Sequence, residues 1–238
     1  MPQETHVRKQ LDALKAETKA LHELWQSAAQ AMDTGRQTGD LQSAQNALAE
    51  LEVKTAEFKK FRATLSPEVL FLAKYNVEVH GPHEVSFVLP RGVSRIEMLQ
   101  EAQALVTERS LIYPNHLTKW QQDPKFTAVA TTTQRIHING HVEGGDAKSR
   151  VKQEALLTVR GLQMPSKEDL AAAFVAHYIA MKEPLFGFYK NNHDTHYVRA
   201  AGGALHFNGH GLVDHDIHVD YRYADVAVAA ALPPLRQG

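Results

Sequence analysis

Six of the fourteen histidines, His193, His196, His206, His210, His215 and His218, fall within 26 residues. Residues 193–225 also hold five aspartates, Asp194, Asp214, Asp216, Asp220 and Asp225, against only Arg199 and Arg222. Carboxylates so crowded repel one another unless solvent separates them, imidazoles take up protons beside them, or a cation sits among them. The run Asp214-His-Asp-Ile-His-Val-Asp220 continues into Tyr221-Arg-Tyr223, and Ile217, Val219, Tyr221 and Tyr223 at period two predict a strand. Alternation then places Asp214, Asp216, His218 and Asp220 on one face, with neighbours about 6.6 Å apart. Side chains converging from that spacing can share one ion. Imidazole and carboxylate together suit a divalent transition metal such as zinc, iron, manganese or nickel, whereas aspartates alone suit calcium or magnesium. The candidate metal ligands are Asp216, His218 and Asp220. Because no histidine follows Asp220, the set is completed from upstream, by His196 or His206. Two other readings compete, a charged strand face that discourages unwanted pairing and a pH-responsive surface.

Other spacings say less. His193-x-x-His196 and His80-x-x-His83 are short repeats of a kind common on surfaces. His206-x-x-x-His210 would share a helical face, but Asn208, Gly209 and Gly211 favour a hairpin loop between Leu205–Phe207 and Leu212–Val213. Gly202-Gly203 reads as a tight bend or bulge, and Phe186, Phe188 and Tyr189 as core. The chain lacks H-E-x-x-H, the phosphate-binding G-x4-G-K-[ST], G-x-G-x-x-G and G-x-S-x-G. With no cysteine it has no disulfide, no thiolate metal site and no thiol nucleophile.

The elements that carry these residues begin with a helical hairpin. Val7, Leu11, Leu14, Thr18, Leu21, Trp25, Ala28 and Met32 are spaced 4,3,4,3,4,3,4, an unbroken heptad seam. A second seam runs through Leu41, Ala44, Leu48, Leu51, Thr55, Phe58, Arg62 and Leu65, with Phe61 beside the polar Arg62. In the linker, Gly35 is expected to end the first helix and Thr38 or Asp40 to cap the second. So short a link makes the helices antiparallel, each of about 25 residues and about 38 Å. Two facing helices bury too little surface to stand alone, so the hairpin requires a third surface, from its own chain or another subunit. Nine acidic and nine basic residues cancel over residues 1–66, unlike a basic membrane-surface helix.

Beyond residue 66 the pattern is mixed. Ser66-Pro67 starts a short helical or extended segment; Val77 and Val79, then Val85, Phe87 and Leu89, predict two strands around a Gly-Pro turn. Ser94-Arg-Ile-Glu97 is a capping box that opens a helix to about Arg109. Pro114 and the Asp123-Pro124 pair bracket a turn of helix, strands are expected over 126–132 and 135–138, and Val151, Ala155 and Val159 mark a helix face closed by Gly161. Ser166 caps a further helix with Leu170, Phe174, His177 and Met181 on one face, stopped by Pro184. The fold class is therefore α+β: residues 1–66 a coiled-coil-like antiparallel hairpin, and residues 67–238 a mixed domain with short antiparallel strands, several helices and His/Asp-rich C-terminal strands.

Lys plus Arg number 26 against 27 Asp plus Glu, a formal charge of −1, so the chain lacks the cationic excess that nucleic-acid binding requires. The longest apolar run, Val226–Leu232, is too short for a bilayer, and MPQETHVRKQ has no signal-peptide core; these predict a cytoplasmic protein without membrane contact. The leading expectation is an interaction or assembly protein with a protein partner or a second copy on the hairpin. The alternative is a metal-binding protein or metal-dependent enzyme built on residues 193–220.

Overall fold

The computed structural model describes residues 2–108, 110–145, 148–185, 197–208, 211–215 and 226–232. Two compact units divide the chain, residues 1–73 and 74–238, in a mixed α+β architecture.

The first unit is the hairpin. Helix α1 (Pro2–Thr38) has 37 residues, about 56 Å of rod, and packs antiparallel to α2 (Leu41–Ala63). The first helix runs through Gly35 rather than ending there. A side chain at Gly35 would bring a Cβ to 2.6 Å from the Asp40 carbonyl oxygen, so the glycine serves close approach at the turn. Gly39 takes the left-handed conformation instead, at φ +78°. Asp40 caps α2, accepting from the Ser43 amide at 3.2 Å and from its hydroxyl at 2.7 Å. Helix α3 (Pro67–Lys74) follows; Leu65 and Val69 join Leu14 in a small core with Leu11, Phe58 and Phe61 around it.

The second unit wraps two four-stranded sheets around one helix. Strands β1 (Glu78–Gly81), β2 (Glu84–Leu89) and β3 (Gln134–Asn139) form an antiparallel sheet, extended by β8 (Ala230–Ala231) on β3. The second sheet has the order β6-β5-β4-β7, from β4 (Tyr197–Ala200), β5 (Gly203–Asn208), β6 (Gly211–His215) and β7 (Val226–Val228); β4 and β7 run parallel. Residues 226–231 thus leave one sheet and enter the other. Helix α8 (Lys167–Met181) touches β2 and β3, β5, and α4 (Arg95–Leu105). Its residues Leu170–Ile179 are all buried, as expected of a helix enclosed on every side. Phe174 meets Phe207 at 4.9 Å between ring centroids.

Local chemistry accounts for these boundaries. The Ser94–Glu97 capping box starts α4, which ends at Leu105 rather than near Arg109 because Val106 turns extended, at φ −109°. Helix α5 (Pro114–Trp120) lies where the sequence places it. Phe126 and Thr127, expected in a strand, form instead the single turn α6 (Pro124–Thr127), since Asp123 caps it and Pro124 suits its first position. Helix α7 (Arg150–Val159) also forms, but with the opposite face inward. Gln153 and Leu157 are buried, whereas Val151 and Val159 are 70% and 87% exposed. Gln153 is drawn in by its hydrogen bond to the Gly145 carbonyl, 2.8 Å; Leu157 packs with Val142, Val228 and Ala230.

Candidate functional site

The hairpin seams pack unevenly. Near α3 the residues are large and covered: Leu14 and Leu65 are buried. At the tip they are small, and Ala28, Gly35 and Ala44 bring the helices close. Between these ends Trp25 is 56% exposed, Leu48 37% and Val53 58%, and Leu41, the first residue of α2 at the tip, is 62% exposed. Trp25, Leu41 and Leu48 stand at heptad positions, so the periodicity that specifies a seam is present where the pair of helices fails to cover it. His22 stacks on Trp25, centroids 6.2 Å apart, and receives or gives a hydrogen bond to Gln26 at 3.0 Å. A groove of about 370 Å³ lies at the tip, lined by Ser27, Gln30, Ala31, Thr34, Asp40 and Ser43 among others. Its carboxylate is already engaged: the two bonds from Ser43 hold the Asp40 carboxyl below its ordinary pKa.

Of the expected metal ligands, Asp216, His218, Asp220 and His196 lie outside the described residues. His206 sits in β5, 4% exposed, and by strand alternation it shares a face with Arg199, which opposes Ala204 in β4. Arg199 is 2% exposed; burial foremost, and then the like charge of Arg150, lower its pKa. A buried guanidinium beside an imidazole makes that side of the sheet unfavourable for a further cation. Among the described residues no group of three or more His, Asp or Glu is arranged to hold a metal ion.

Asp214, the first carboxylate of the run, turns inward. It opposes Leu205 and is nearly sealed from solvent, where its Oδ2 accepts from the Trp120 indole nitrogen at 3.1 Å and from Lys167 Nζ at 2.8 Å. Three elements, α5, β6 and the first turn of α8, are thereby joined at one oxygen. The charge of Asp214 is answered by Lys167, which identifies this carboxylate as a packing tie rather than an open ligand.

A second histidine group forms at one end of the first sheet. His80 and His137 approach to 5.0 Å between centroids and His83 and His141 to 5.7 Å. His137 bonds Glu84 at 2.7 Å and His80 bonds Ser86 at 2.9 Å. His80 and His137 come from β1 and β3, His83 from the β1–β2 turn and His141 from just beyond β3, and the β1–β2–β3 register brings them together. His80-x-x-His83 and His137-x-x-x-His141 are the sequence traces of it, ambiguous until the register is known.

The described helices include none long and apolar enough to cross a membrane. In comparisons with known proteins the chain matches no protein-family model, no curated protein and no solved structure.

Proposed function

We propose that this chain is an interaction or assembly protein whose N-terminal hairpin associates with the hairpin of a second copy. The observation that carries the reading is the exposure of Trp25, Leu41, Leu48 and Val53 on a rod that otherwise buries little. Each is already partly covered, so burying the exposed remainder gains about 1 kcal/mol per residue, and the seam residues Trp25, Leu41 and Leu48 of two hairpins together supply a favourable contribution to association. Two hairpins together make a four-helix bundle, the arrangement in which heptad seams are covered from both sides. A cancelled charge, nine against nine over residues 1–66, leaves no net repulsion between copies. The absence of a cationic excess keeps nucleic acid out of the proposed partners, and a cytoplasmic setting accords with the cysteine-free chain.

Sedimentation equilibrium over a wide concentration range tests this, on wild type and on Trp25→Glu and Leu48→Glu. The wild type is expected to approach twice the chain mass while each variant remains a monomer with an unchanged helical signal. A wild type that stays monomeric throughout overturns self-association and transfers the exposed face to a different protein.

A further inference from the structure

Helix α7 lies on the second unit with Gln153 and Leu157 inward, and this underside is fastened at three points. The Gln153 side-chain amide donates to the Gly145 carbonyl at 2.8 Å. Leu157 is sealed among Val142, Val228 and Ala230. Past the end of the helix, Gly161 turns left-handed at φ +68° and the Leu162 amide returns to the Leu157 carbonyl at 2.9 Å. Held in this way, the helix cannot roll over to bury its valines, and what it presents outward is a fixed surface. That surface carries Val151, Ala155 and Val159 in a single row, one residue per turn, about 12 Å from first to last. Val151 and Val159 are the two most exposed large apolar residues among those described.

Positive charge surrounds the row. Residues 148–160 hold Lys148, Arg150, Lys152 and Arg160 against one acid, Glu154, on a chain whose total charge is −1. Among the described residues the ion pair of this segment is that of Glu154 with Arg150, at 2.7 Å, so Lys148, Lys152 and Arg160 keep their charge for a partner. Lys148 and Lys152 stand one turn apart on either side of Val151, and Arg160 directly follows Val159. The cations thus bracket the row at both ends.

We infer that this face of α7 docks an acidic amphipathic helix of another protein, whose apolar row lies against Val151, Ala155 and Val159 and whose carboxylates meet Lys148, Lys152 and Arg160. Short side chains at every fourth position form a ridge, and such ridges pack into the grooves of a second helix at about 8–10 Å between axes. The charge then selects an acidic helix over a neutral one and speeds its approach. Because the face is set beforehand, docking orders no backbone of α7. A bilayer is the poorer match: valine and alanine are short and lie level with the lysines, with none of the aromatic or leucine side chains that reach below the headgroups. The hairpin of a second copy is poorer too, since its charges cancel over residues 1–66 and offer no acidic excess. A ten-residue helix presents a small area, which makes the contact a transient one, governed by charge.

Fluorescence anisotropy on the full chain tests this with a labelled synthetic peptide of about 20 residues. It carries leucine at three successive fourth positions, glutamate beside the first and last leucine, and alanine elsewhere; a second peptide has glutamine in place of glutamate. The glutamate peptide is expected to bind saturably, at least about tenfold more tightly than the glutamine peptide, and to weaken as salt rises from about 0.05 M to about 0.3 M. Lys152→Glu is expected to weaken it about tenfold, and Val151→Ser combined with Val159→Ser to abolish saturation. All three positions are exposed, so the thermal melts of these variants are expected to match the wild type. No saturable binding, equal affinity for the two peptides, or affinity unchanged in the variants overturns the docking site. Tighter, variant-sensitive binding to phosphatidylcholine vesicles containing phosphatidylserine also overturns it and assigns the face to a bilayer. Loss of self-association by the double serine variant in sedimentation equilibrium overturns it in favour of a second copy. The comparison of the two peptides on the wild type needs no variant and decides alone should either variant melt early. None of these substitutions touches α1 or α2, so the outcome stands apart from self-association through the hairpin.

Discussion

Helices α1 and α8 meet opposite fates in the same chain. The 15-residue α8 buries ten consecutive residues, Leu170–Ile179, while α1, with 37 residues, buries only Leu14 and Ala28 among its described apolar side chains. Their sequences differ in the kind of pattern. Leu170-Ala-Ala-Ala-Phe-Val-Ala-His-Tyr-Ile179 has small residues between large ones on every side, which lets strands and α4 approach from all directions. The α1 seam is a single stripe between charged flanks, which a single neighbour can cover. Burial on all sides comes from a finished core; the α1 stripe is left half open, with Trp25 in contact with solvent.

The sharpest way to break this comparison is to remove an aromatic ring from each unit. Phe174→Ala deletes a fully buried side chain that packs on Phe207 and Tyr178, and is expected to destabilise the second unit by about 3–5 kcal/mol. Trp25→Ala, on a residue 56% exposed, is expected to change the unfolding of the dilute protein by less than about 0.5 kcal/mol. Urea denaturation at low protein concentration measures both. Comparable losses would mean that Trp25 is already covered and the hairpin has no open face.

Next in size is the tie between α5, β6 and α8. Lys167→Met leaves the Asp214 carboxylate buried without its cation, an expected loss of about 3 kcal/mol. Adding Asp214→Leu removes the stranded charge and is expected to restore most of that stability, at the cost of the Trp120 hydrogen bond. A double variant no better than the single one would show that Asp214 matters through Trp120 rather than through Lys167.

These sites also mark where sequence reading succeeds. Caps and heptads are local, so the hairpin, the Asp40 cap and the Ser94–Glu97 box are legible residue by residue. The face of α7 is not. Val151, Ala155 and Val159 form the better apolar stripe, yet the loop carbonyl of Gly145 captures Gln153 and turns the helix over. The length of α1 was also hidden, because Gly35 looks like a terminator and serves instead as a point of close contact. His206 was legible as a strand residue, but its neighbour Arg199 is adjacent only through the β4–β5 register. The bond of His83 to the Leu185 carbonyl depends likewise on chain segments about a hundred residues apart meeting at one turn.

The smallest effects come from the two helix caps. Glu97 closes a capping box in the second unit, and Asp40 caps α2 in the first. Bonds from the Ser94 amide and hydroxyl hold the Glu97 carboxyl below its usual pKa, and bonds from Ser43 do the same for Asp40. A lowered folded pKa means that each carboxylate favours the folded state above the unfolded value, about 4, and that this support is lost as the pH falls through the lower folded value. The caps nevertheless answer to different units. Ser94→Ala acts on a helix packed against the buried α8, so the expected loss of about 1 kcal/mol should appear in the cooperative unfolding of the whole second unit. Asp40→Ala acts where helix ends are exposed, and should fray the first turn of α2 without moving that transition. Amide exchange at Ser43 beside the thermal melt distinguishes the two. A shift of the second unit's transition by Asp40→Ala would mean that the two units unfold together, and that the open stripe of α1 belongs to the same cooperative core as α8.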